Sequence, residues 1–317
     1  MAMSVRVNAC TKTHIGSVRP KNEDAFSNFI LDGYETICIV CDGMGGLQAG
    51  ELASQSAVDT LEAKLKASLP GATSVTDVTD ALRDAMAAAN GAVHGVARQL
   101  VAGIASEEKP LAGTTGVVAI VHQGVLTVAH IGDSRAYLLR SGVLMPLTDD
   151  HSFVAEQVKL GHMTEEEARK SRYRNVVTRA IGISPTVQCD VSTHPLQDAD
   201  RILVCTDGLT TMVQDVDIAN VLDKADSSTT ATQALIQTAL QAGGNDNITV
   251  SVIDVALMED GTSVISGDLR GHTMRTAAEY SAFAANGFAV ASNHPEFAAP
   301  LGTTSNEAYR PIQKPDR

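Results

Sequence analysis

The sequence lacks several features that would assign it to a class at once. Its 317 residues contain no apolar run that approaches the ~18 residues of a membrane span, so we expect no transmembrane segment. The first residues, Met1–Thr11, have no apolar core of the kind found in signal peptides. Only five cysteines are present, and in a chain without an export signal they indicate a reducing, cytoplasmic location.

Positive charge is also scarce. Lys and Arg number 24 against 37 Asp and Glu, so the formal net charge is −13. This negative field repels nucleic acid and anionic membranes, which argues against both as bulk partners. It repels phosphate esters as well, so a phosphate site would have to supply its own local positive charge.

Two common site signatures are missing. The sequence has no Gly-x-x-x-x-Gly-Lys phosphate loop, and its nine histidines form no His-x-x-Glu-His site. Cys38 and Cys41 have the spacing of a redox or zinc pair, but they lie in an apolar strand, where residues three apart face opposite sides. We therefore interpret the two thiols as small core residues.

The apolar pattern predicts an α+β fold. Strands and helices come in separate blocks instead of regular βαβ units, which favours antiparallel sheets. Phe26–Leu31 and Tyr34–Cys41 predict a hairpin, and the second arm is apolar on both faces, as in a buried central strand. Helical spacing predicts helices over Gln48–Leu69 and Thr76–Ile104. Alternation over Val117–Leu147 predicts an antiparallel meander.

The composition changes near the end of the last predicted strand. We predict one domain over residues 1–256 and a C-terminal extension over residues 257–317, partly disordered or docked. The extension holds four of the ten prolines and five of the eleven Phe and Tyr residues. Because solvated tails are usually poor in aromatics, four of its aromatics are candidates for docking on the domain or on a partner. They are Tyr280, Phe283, Phe288 and Phe297. A mobile extension with short sticky segments is at least as good an interpretation.

Three aspartates share one local context at the end of an apolar strand, and a fourth lies in a turn. Asp42 and Asp207 each end an apolar strand and precede a glycine, Asp246 comes just before another apolar strand, and Asp133 lies in a tight turn. If these carboxylates gathered at one edge of a sheet, they would need a cation to stay ionised. Oxygen-only ligands select Mg²⁺ or Mn²⁺, and two such ions can activate a bridging water. The alternative is that each Asp simply forms a turn.

A polar loop near the N-terminus contains Arg19, whose planar guanidinium suits a phosphate. Together with the aspartates, this loop belongs to eight short motifs whose order and spacing resemble the metal-dependent protein phosphatases. The resemblance is to the type 2C serine/threonine family in its compact bacterial form. The motifs are Arg19-Pro-Lys-Asn-Glu-Asp24, Val40-Cys-Asp-Gly-Met-Gly-Gly46, Gly113-Thr-Thr-Gly116, Ile131-Gly-Asp-Ser-Arg135, Thr148-Asp-Asp-His-Ser152, Arg174-Asn-Val-Val-Thr-Arg179, Cys205-Thr-Asp-Gly-Leu209 and Gly244-Asn-Asp-Asn247.

The resemblance covers residues 8–255 and implies the family's fold. That fold is a sandwich of two antiparallel β-sheets flanked by α-helices (αββα), with a dinuclear metal site at one end. By the same resemblance, Asp42 bridges two Mn²⁺ or Mg²⁺ ions and the Gly43 carbonyl binds one of them. Asp207 and Asp246 complete the shell of the other ion.

Three further roles follow from the resemblance. Asp133 matches the ligand of a third, weaker ion, which it would share with Asp207. Arg19 matches the residue that binds the substrate phosphate, and Asp24 matches a carboxylate that orients metal-bound waters. The implied reaction is hydrolysis without a phosphoenzyme, by direct in-line attack of a metal-bridging water on phosphorus.

One position departs from many eukaryotic members of the family. They have a histidine, proposed to protonate the leaving group, where this chain has Met44, which cannot donate a proton. A metal-bound water, or another group such as His151, would then serve. Residues 152–179 match the flap beside the active site. We expect its basic residues, Arg169 and Arg172 among them, either to guide phosphoprotein substrates or to form a charge-balanced helix pair.

The sequence therefore predicts a protein serine/threonine phosphatase. We expect a monomeric enzyme that acts on phosphoproteins and opposes a bacterial Ser/Thr kinase. A catalytically weak phosphoprotein-binding scaffold of the same fold is the alternative. Such degenerate members usually lose metal carboxylates, so the presence of Asp42, Asp207 and Asp246 favours the enzyme. A hydrolase of small phosphate esters is a third interpretation.

Overall fold

The elements of the fold are taken from a computed structural model that describes residues 3–45, 49–101, 112–259 and 312–313. The strands are β1 (Met3–His14), β2 (Asp24–Phe29), β3 (Thr36–Met44), β4 (Gly113–Thr114), β5 (Gly116–His122), β6 (Val125–Ile131), β7 (Arg135–Arg140), β8 (Val143–Pro146), β9 (Val176–Val177), β10 (Asp190–Pro195), β11 (Arg201–Cys205), β12 (Ile248–Glu259) and β13 (Ile312–Gln313). The helices are α1 (Ala49–Ser68), α2 (Val75–Val101), α3 (Phe153–Lys159), α4 (Glu165–Lys170), α5 (Asp207–Thr210), α6 (Asp215–Lys224) and α7 (Ser228–Gln241).

Two antiparallel sheets form the centre of the fold, as the sequence predicts. One sheet has the strand order β1-β12-β11-β7-β8, and the other has the order β10-β6-β5-β3-β2 with β4 added beside β3. The predicted hairpin is β2 and β3, and its central arm β3 is buried along its whole length. Asp24 pairs with Asp42 in the register of this hairpin, which brings two acidic residues to the same end of the sheet.

Three apolar layers hold the sandwich together. Residues between the two sheets form one cluster, α1 and α2 cover the outer face of the six-stranded sheet, and α6 and α7 cover the other sheet. Cys38 lies in the layer between the sheets, whereas Cys41 lies in the layer under the helices. The prediction that these two thiols face opposite sides is therefore confirmed, and so is the αββα order of layers.

The predicted meander over Val117–Leu147 is wrong in one respect. Strands β5 and β6 pair in one sheet, but β7 and β8 pair in the other. The turn Gly132-Asp133-Ser134 therefore carries the chain from one sheet to the other instead of closing a hairpin. Local alternation predicts each strand but does not specify which neighbour the strand pairs with. Because of this crossing, Asp133 lies at an end of the sandwich.

The flap contains two short helices, and each begins at a side-chain cap. At α3, the Ser152 hydroxyl accepts a hydrogen bond from the Ala155 amide. At α4, Thr164 and Glu167 form a reciprocal capping box, with each side chain accepting the other's backbone N–H. These caps satisfy backbone donors that a helix start would otherwise leave unpaired.

Beyond the flap, the C-terminal region contributes two described segments. Strand β12 continues to Glu259, past the predicted boundary at residue 256, and β13 pairs with β9 at the end of the flap. The predicted docking aromatics of the extension, Tyr280, Phe283, Phe288 and Phe297, lie outside the described residues. None of the helices within the described ranges has the length and hydropathy needed to cross a bilayer.

Pairing of β13 with β9 predicts local protection of the flap. Ile312 pairs with Val177, and Val177 also bridges to Ser152 on its other side. Changing Ile312→Pro removes the Ile312 N–H from this two-residue pairing. Because the loss weakens the whole pairing, we expect the amide of Val177 to exchange with solvent about five- to tenfold faster. Hydrogen exchange followed by mass spectrometry measures this, with the β5 peptide around Val118 as internal control. Unchanged exchange at Val177 would contradict the pairing.

Candidate active site

Asp42 is held at the end of β3 by the backbone of its neighbours. Its amide donates to the Thr115 hydroxyl at 3.0 Å, and its carbonyl accepts from the Thr114 hydroxyl at 2.8 Å and the Thr115 amide at 2.9 Å. The next residue, Gly43, lies against the first turn of α1. A Cβ at Gly43 would be 2.1 Å from the carbonyl oxygen of Gly50, so only glycine fits there.

Asp207 and Asp246 are brought together by close backbone packing. A Cβ at Gly208 would lie 1.9 Å from the carbonyl oxygen of Asn247, the residue after Asp246. The two backbone segments are also hydrogen-bonded next to this contact, since the Thr206 amide donates to the Thr249 carbonyl at 3.0 Å. The absence of a side chain at Gly208 therefore lets the two aspartates approach each other.

Asn247 attaches the N-terminal loop to this site. Its side-chain amide donates to the carbonyls of Ile15 and Lys21, both at 2.8 Å, and its side-chain oxygen accepts from the Glu23 amide at 2.8 Å. The loop fixed in this way carries Arg19. One Arg19 nitrogen, Nη2, is 2.7 Å from Oδ2 of Asp246, so the predicted phosphate-binding residue lies against a predicted metal ligand.

The carboxylate of Asp24 is buried beside this group. Its Oδ2 accepts hydrogen bonds from the hydroxyls of Thr206 at 3.0 Å and Thr249 at 2.7 Å, while its buried Oδ1 has no hydrogen-bond partner. Burial raises the pKa of Asp24 to about 7, the two threonines oppose the shift, and the nearby Asp207 and Asp246 add to it. This carboxylate would therefore gain from a neighbouring cation.

The pKa of Arg19 responds to the same group of negative charges. Burial alone would lower the pKa of Arg19, but the carboxylates of Asp246, Asp42 and Asp207 outweigh burial and raise it above its usual value. All of the predicted ligands here are carboxylates or a backbone carbonyl, which is the donor set that Mg²⁺ and Mn²⁺ prefer. The donor set and the orphaned oxygen of Asp24 both fit divalent cations.

Asp133 lines the same cleft as Asp207 and Asp246. Its turn needs glycine before it, because Gly132 has φ +109° and its Cβ would lie 2.6 Å from a Thr115 side-chain carbon. The next residue, Ser134, shares a hydrogen bond of 2.7 Å between its hydroxyl and that of Thr115. Thr115 therefore connects Asp42, near the end of β3, to the turn between β6 and β7 that carries Asp133.

His151 is buried next to this turn, together with His130 and Asp190. The ligating atoms of the three side chains lie within 4.8 Å of one another, a spacing that admits a metal. However, Nδ1 of His151 accepts from the Gly132 amide at 3.0 Å and its Nε2 is 3.1 Å from Asp190, so both ring nitrogens are engaged. The rings of His130 and His151 also stack in near-parallel planes, so their in-plane lone pairs do not converge on one point.

The same hydrogen bonds bear on His151 as a leaving-group acid. Burial lowers the pKa of His151 to about 4, with His130 and Arg179 adding to the effect, so the ring is neutral at pH 7. Its one ring proton is on Nε2, which donates a hydrogen bond to Asp190. This arrangement suits a fixed structural contact better than proton donation to a leaving group.

The site opens into a cleft of about 1130 Å³ that the flap borders. Four basic side chains of the flap line it, namely Lys159, Arg169, Arg174 and Arg179. Lys159 is paired with Asp149 at 2.7 Å and Arg179 with Asp190 at 2.8 Å. Arg172 is not among the lining residues, and its guanidinium lies over the Tyr173 ring at 4.6 Å from the centroid. Of the two arginines named from sequence, only Arg169 therefore faces the cleft.

Two residues of the site were missed in the sequence analysis. Glu23 borders the cavity with Asp42 and Asp246, and burial raises its pKa. The resemblance assigns a role to Asp24 but none to the adjacent Glu23, although both acids lie in the same motif. Asn247 was read as part of a motif, and its three hydrogen bonds to the loop become visible only in three dimensions.

Comparisons with known sequences identify the family. Residues 12–249 match the model described as Protein phosphatase 2C. The serine/threonine phosphatase stp of Listeria welshimeri is 35% identical over 252 residues, which are 79% of this chain and 96% of that protein. Protein phosphatase PhpP of Streptococcus pneumoniae is 32% identical over 244 residues, which are 77% and 95% of the two chains.

Solved structures agree with the sequence matches. The serine/threonine phosphatase Stp1 from Staphylococcus aureus has a TM-score of 0.72 at 32% identity, covering 78% of this chain and 94% of that chain. The catalytic domain of the protein phosphatase PstP, in complex with 2 manganese ions, has a TM-score of 0.65 at 32% identity, covering 80% and 100%. Fold and site therefore define a metal-dependent phosphatase. The chain belongs to the protein phosphatase 2C family and is a protein serine/threonine phosphatase.

The contact at Gly208 predicts that its side chain cannot be enlarged. Changing Gly208→Ala forces the backbones of Gly208 and Asn247 apart, which should destabilise the fold by about 2–4 kcal/mol and lower the affinity for Mn²⁺. Thermal unfolding and calorimetric Mn²⁺ titration measure the two effects. The matched control is Gly91→Ala in α2, where no atom lies near the new Cβ and about 0.5–1 kcal/mol of stabilisation is expected. Equal behaviour of the two variants would contradict this account.

Proposed function

We propose that the protein removes phosphate from phosphoserine and phosphothreonine side chains by direct hydrolysis at this site, without a phosphoenzyme. The observation that carries the proposal is the gathering of Asp42, Asp207 and Asp246 around Arg19 at one end of the sandwich. A catalytically inactive scaffold would have no need to keep several carboxylates under mutual repulsion, so this gathering favours the enzyme.

Each residue has a role in the proposed reaction. Asp42, the Gly43 carbonyl, Asp207 and Asp246 would hold two Mn²⁺ or Mg²⁺ ions, and Asp133 with Asp207 a third. When bound, these ions supply an activated water and neutralise phosphate charge. Arg19 binds the oxygens of the phosphate through its planar fork, and Asp24 orients waters near the reacting phosphorus.

The cysteines support hydrolysis without a covalent intermediate. A nucleophilic cysteine must be present as the thiolate, which requires a low pKa. Burial instead raises the pKa of Cys38 to about 11 and that of Cys189 and Cys205 to about 12, and it raises the pKa of Cys41 still further. None of these four thiols is a nucleophile at neutral pH.

Met44 leaves the departing oxygen without a protein acid next to Gly43. Its side chain is buried against Val177 and Ala180 and has no ionisable proton. Since His151 is neutral and bonded to Asp190, we propose that water in the open cleft protonates the leaving group.

We also propose the location, oligomeric state and substrates of the enzyme. The enzyme would act in the cytoplasm as a monomer, on phosphoproteins produced by a Ser/Thr kinase. All five cysteines are free thiols. The open cleft with arginines at its rim favours phosphoprotein segments over small phosphate esters, which would need no extended surface.

Removing one ligand carboxylate tests the site. We expect Mn²⁺-dependent hydrolysis of p-nitrophenyl phosphate, abolished by EDTA, and a fall in kcat of about three orders of magnitude or more for Asp207→Asn. Asp84→Asn, on the exposed face of α2, is the matched control and should behave as wild type. Steady-state kinetics with calorimetric Mn²⁺ binding measures both. Near-normal turnover by Asp207→Asn would show that the site is misassigned.

The flap arginines test the substrate class. Arg169→Ala and Arg174→Ala each remove a cation from the cleft wall, so kcat/KM on a phosphoprotein should fall about three- to tenfold while kcat/KM on p-nitrophenyl phosphate changes little. Arg172→Ala, which does not reach the cleft, is the control. Equal losses on both substrates would argue for a general structural effect, and no loss on either would remove substrate guidance from the account.

A further inference from the structure

His151 joins two parts of the cleft wall through its backbone. Its amide donates to the Gly132 carbonyl at 3.0 Å, and its carbonyl accepts from the Thr178 amide at 2.8 Å. Gly132 precedes Asp133, the predicted ligand of the third ion, and Thr178 precedes Arg179 at the end of the flap. A single residue therefore lies between the turn that carries a carboxylate and the segment that carries a cleft arginine.

The His151 ring also contacts both sides of the cleft wall, through Gly132 and through Asp190. Nδ1 faces the Gly132 N–H and therefore accepts, so the ring proton must be on Nε2. Nε2–H then donates to Oδ2 of Asp190 at 3.1 Å. The ring cannot turn freely, because it stacks on His130 at 4.6 Å, and His130 is itself bonded to the Asp149 carbonyl at 2.9 Å. The ring has two directed contacts, one on each side.

Asp190 links the His151 ring to Arg179, which lines the cleft. Its other oxygen, Oδ1, accepts from Nη1 of Arg179 at 2.8 Å, and the Arg179 side chain is 32% exposed along the cleft. A bond at Nη1 leaves the Nε and Nη2 donors of the guanidinium for a ligand. Because a free arginine samples many rotamers, the fixed carboxylate reduces the entropy that Arg179 loses on binding.

We propose that His151 is a positioning residue with two separable contacts: Nδ1 fixes the Gly132-Asp133 turn, and Nε2 fixes Asp190 and thereby the cleft arginine Arg179. This inference rests on the proposed function, because it assigns Asp133 to a weak cation site and Arg179 to the phosphorylated substrate. Neither contact needs His151 to change its charge.

Asparagine and glutamine separate the two contacts. In His151→Asn the side-chain oxygen takes the place of Nδ1 and can accept from the Gly132 amide, but the side chain is too short to reach Asp190. In His151→Gln the amide nitrogen takes the place of Nε2 and can donate to Asp190, but no acceptor remains for Gly132. His151→Ala removes both contacts. Thermal unfolding of each variant establishes that it is folded.

We expect opposite losses in the two variants. His151→Asn should raise KM for a phosphopeptide about five- to tenfold, with kcat near wild type and the weak Mn²⁺ site intact. His151→Gln should keep KM and weaken the weak Mn²⁺ site about five- to tenfold, measured as free Mn²⁺ by electron paramagnetic resonance without substrate. A merely structural role would lower stability in both variants without this crossed pattern.

A double-mutant cycle tests whether Asp190 acts through Arg179. Asp190→Ala should raise KM in the wild-type background and have almost no further effect when Arg179→Ala is already present. Additive effects of Asp190→Ala and Arg179→Ala, or identical losses in His151→Asn and His151→Gln, would overturn the proposal. Failure of the proposed function would look different: the wild type itself would show no Mn²⁺-dependent hydrolysis, while the Mn²⁺ titration would still report on the Gly132 contact.

Discussion

Mutual repulsion among buried carboxylates is the constraint on which the rest of the structure depends. Asp24, Asp42, Asp207 and Asp246 come from strands or strand ends that are distant in sequence, and folding brings them to one end of the sandwich. Burial is the main cause of the raised pKa of Asp24, and the charges of Asp207 and Asp246 add to it. Neutral hydrogen-bond donors and Arg19 offset part of the repulsion. In the proposed function, divalent cations would offset the remainder, so the repulsion in the bare site would favour their binding.

Much of this arrangement could be predicted from the sequence. The apolar run of β3 indicated a buried central strand, and the Asp-Gly pairs near the ends of β3 and β11 indicated where acidic side chains reach the edge of each sheet. The motif order then identified which aspartates belong together. The fold prediction is confirmed because it rests on local pattern, whereas the metal-binding roles of the aspartates rest on the resemblance and stay a prediction.

Other features could not be read from local pattern. Gly132-Asp133-Ser134 carries the chain from one sheet to the other, but the sequence predicts a hairpin turn there. A turn within one sheet and a turn between two sheets use the same glycine and polar residues. The hydrogen bonds of Asn247 connect residues more than 220 positions apart, and the partners of His151 lie in three separate segments. Such contacts depend on the packing of the two sheets, which a period of two or of 3.6 residues does not encode.

The pairing of β13 with β9 places a segment from far along the sequence beside the flap. Val177 lies between β13 and Ser152, and its side chain packs against Met44, two residues after Asp42. A substitution at Ile312 or Gln313 would therefore act on a strand whose side chain contacts Met44, at a distance along the chain of more than 260 residues from Asp42.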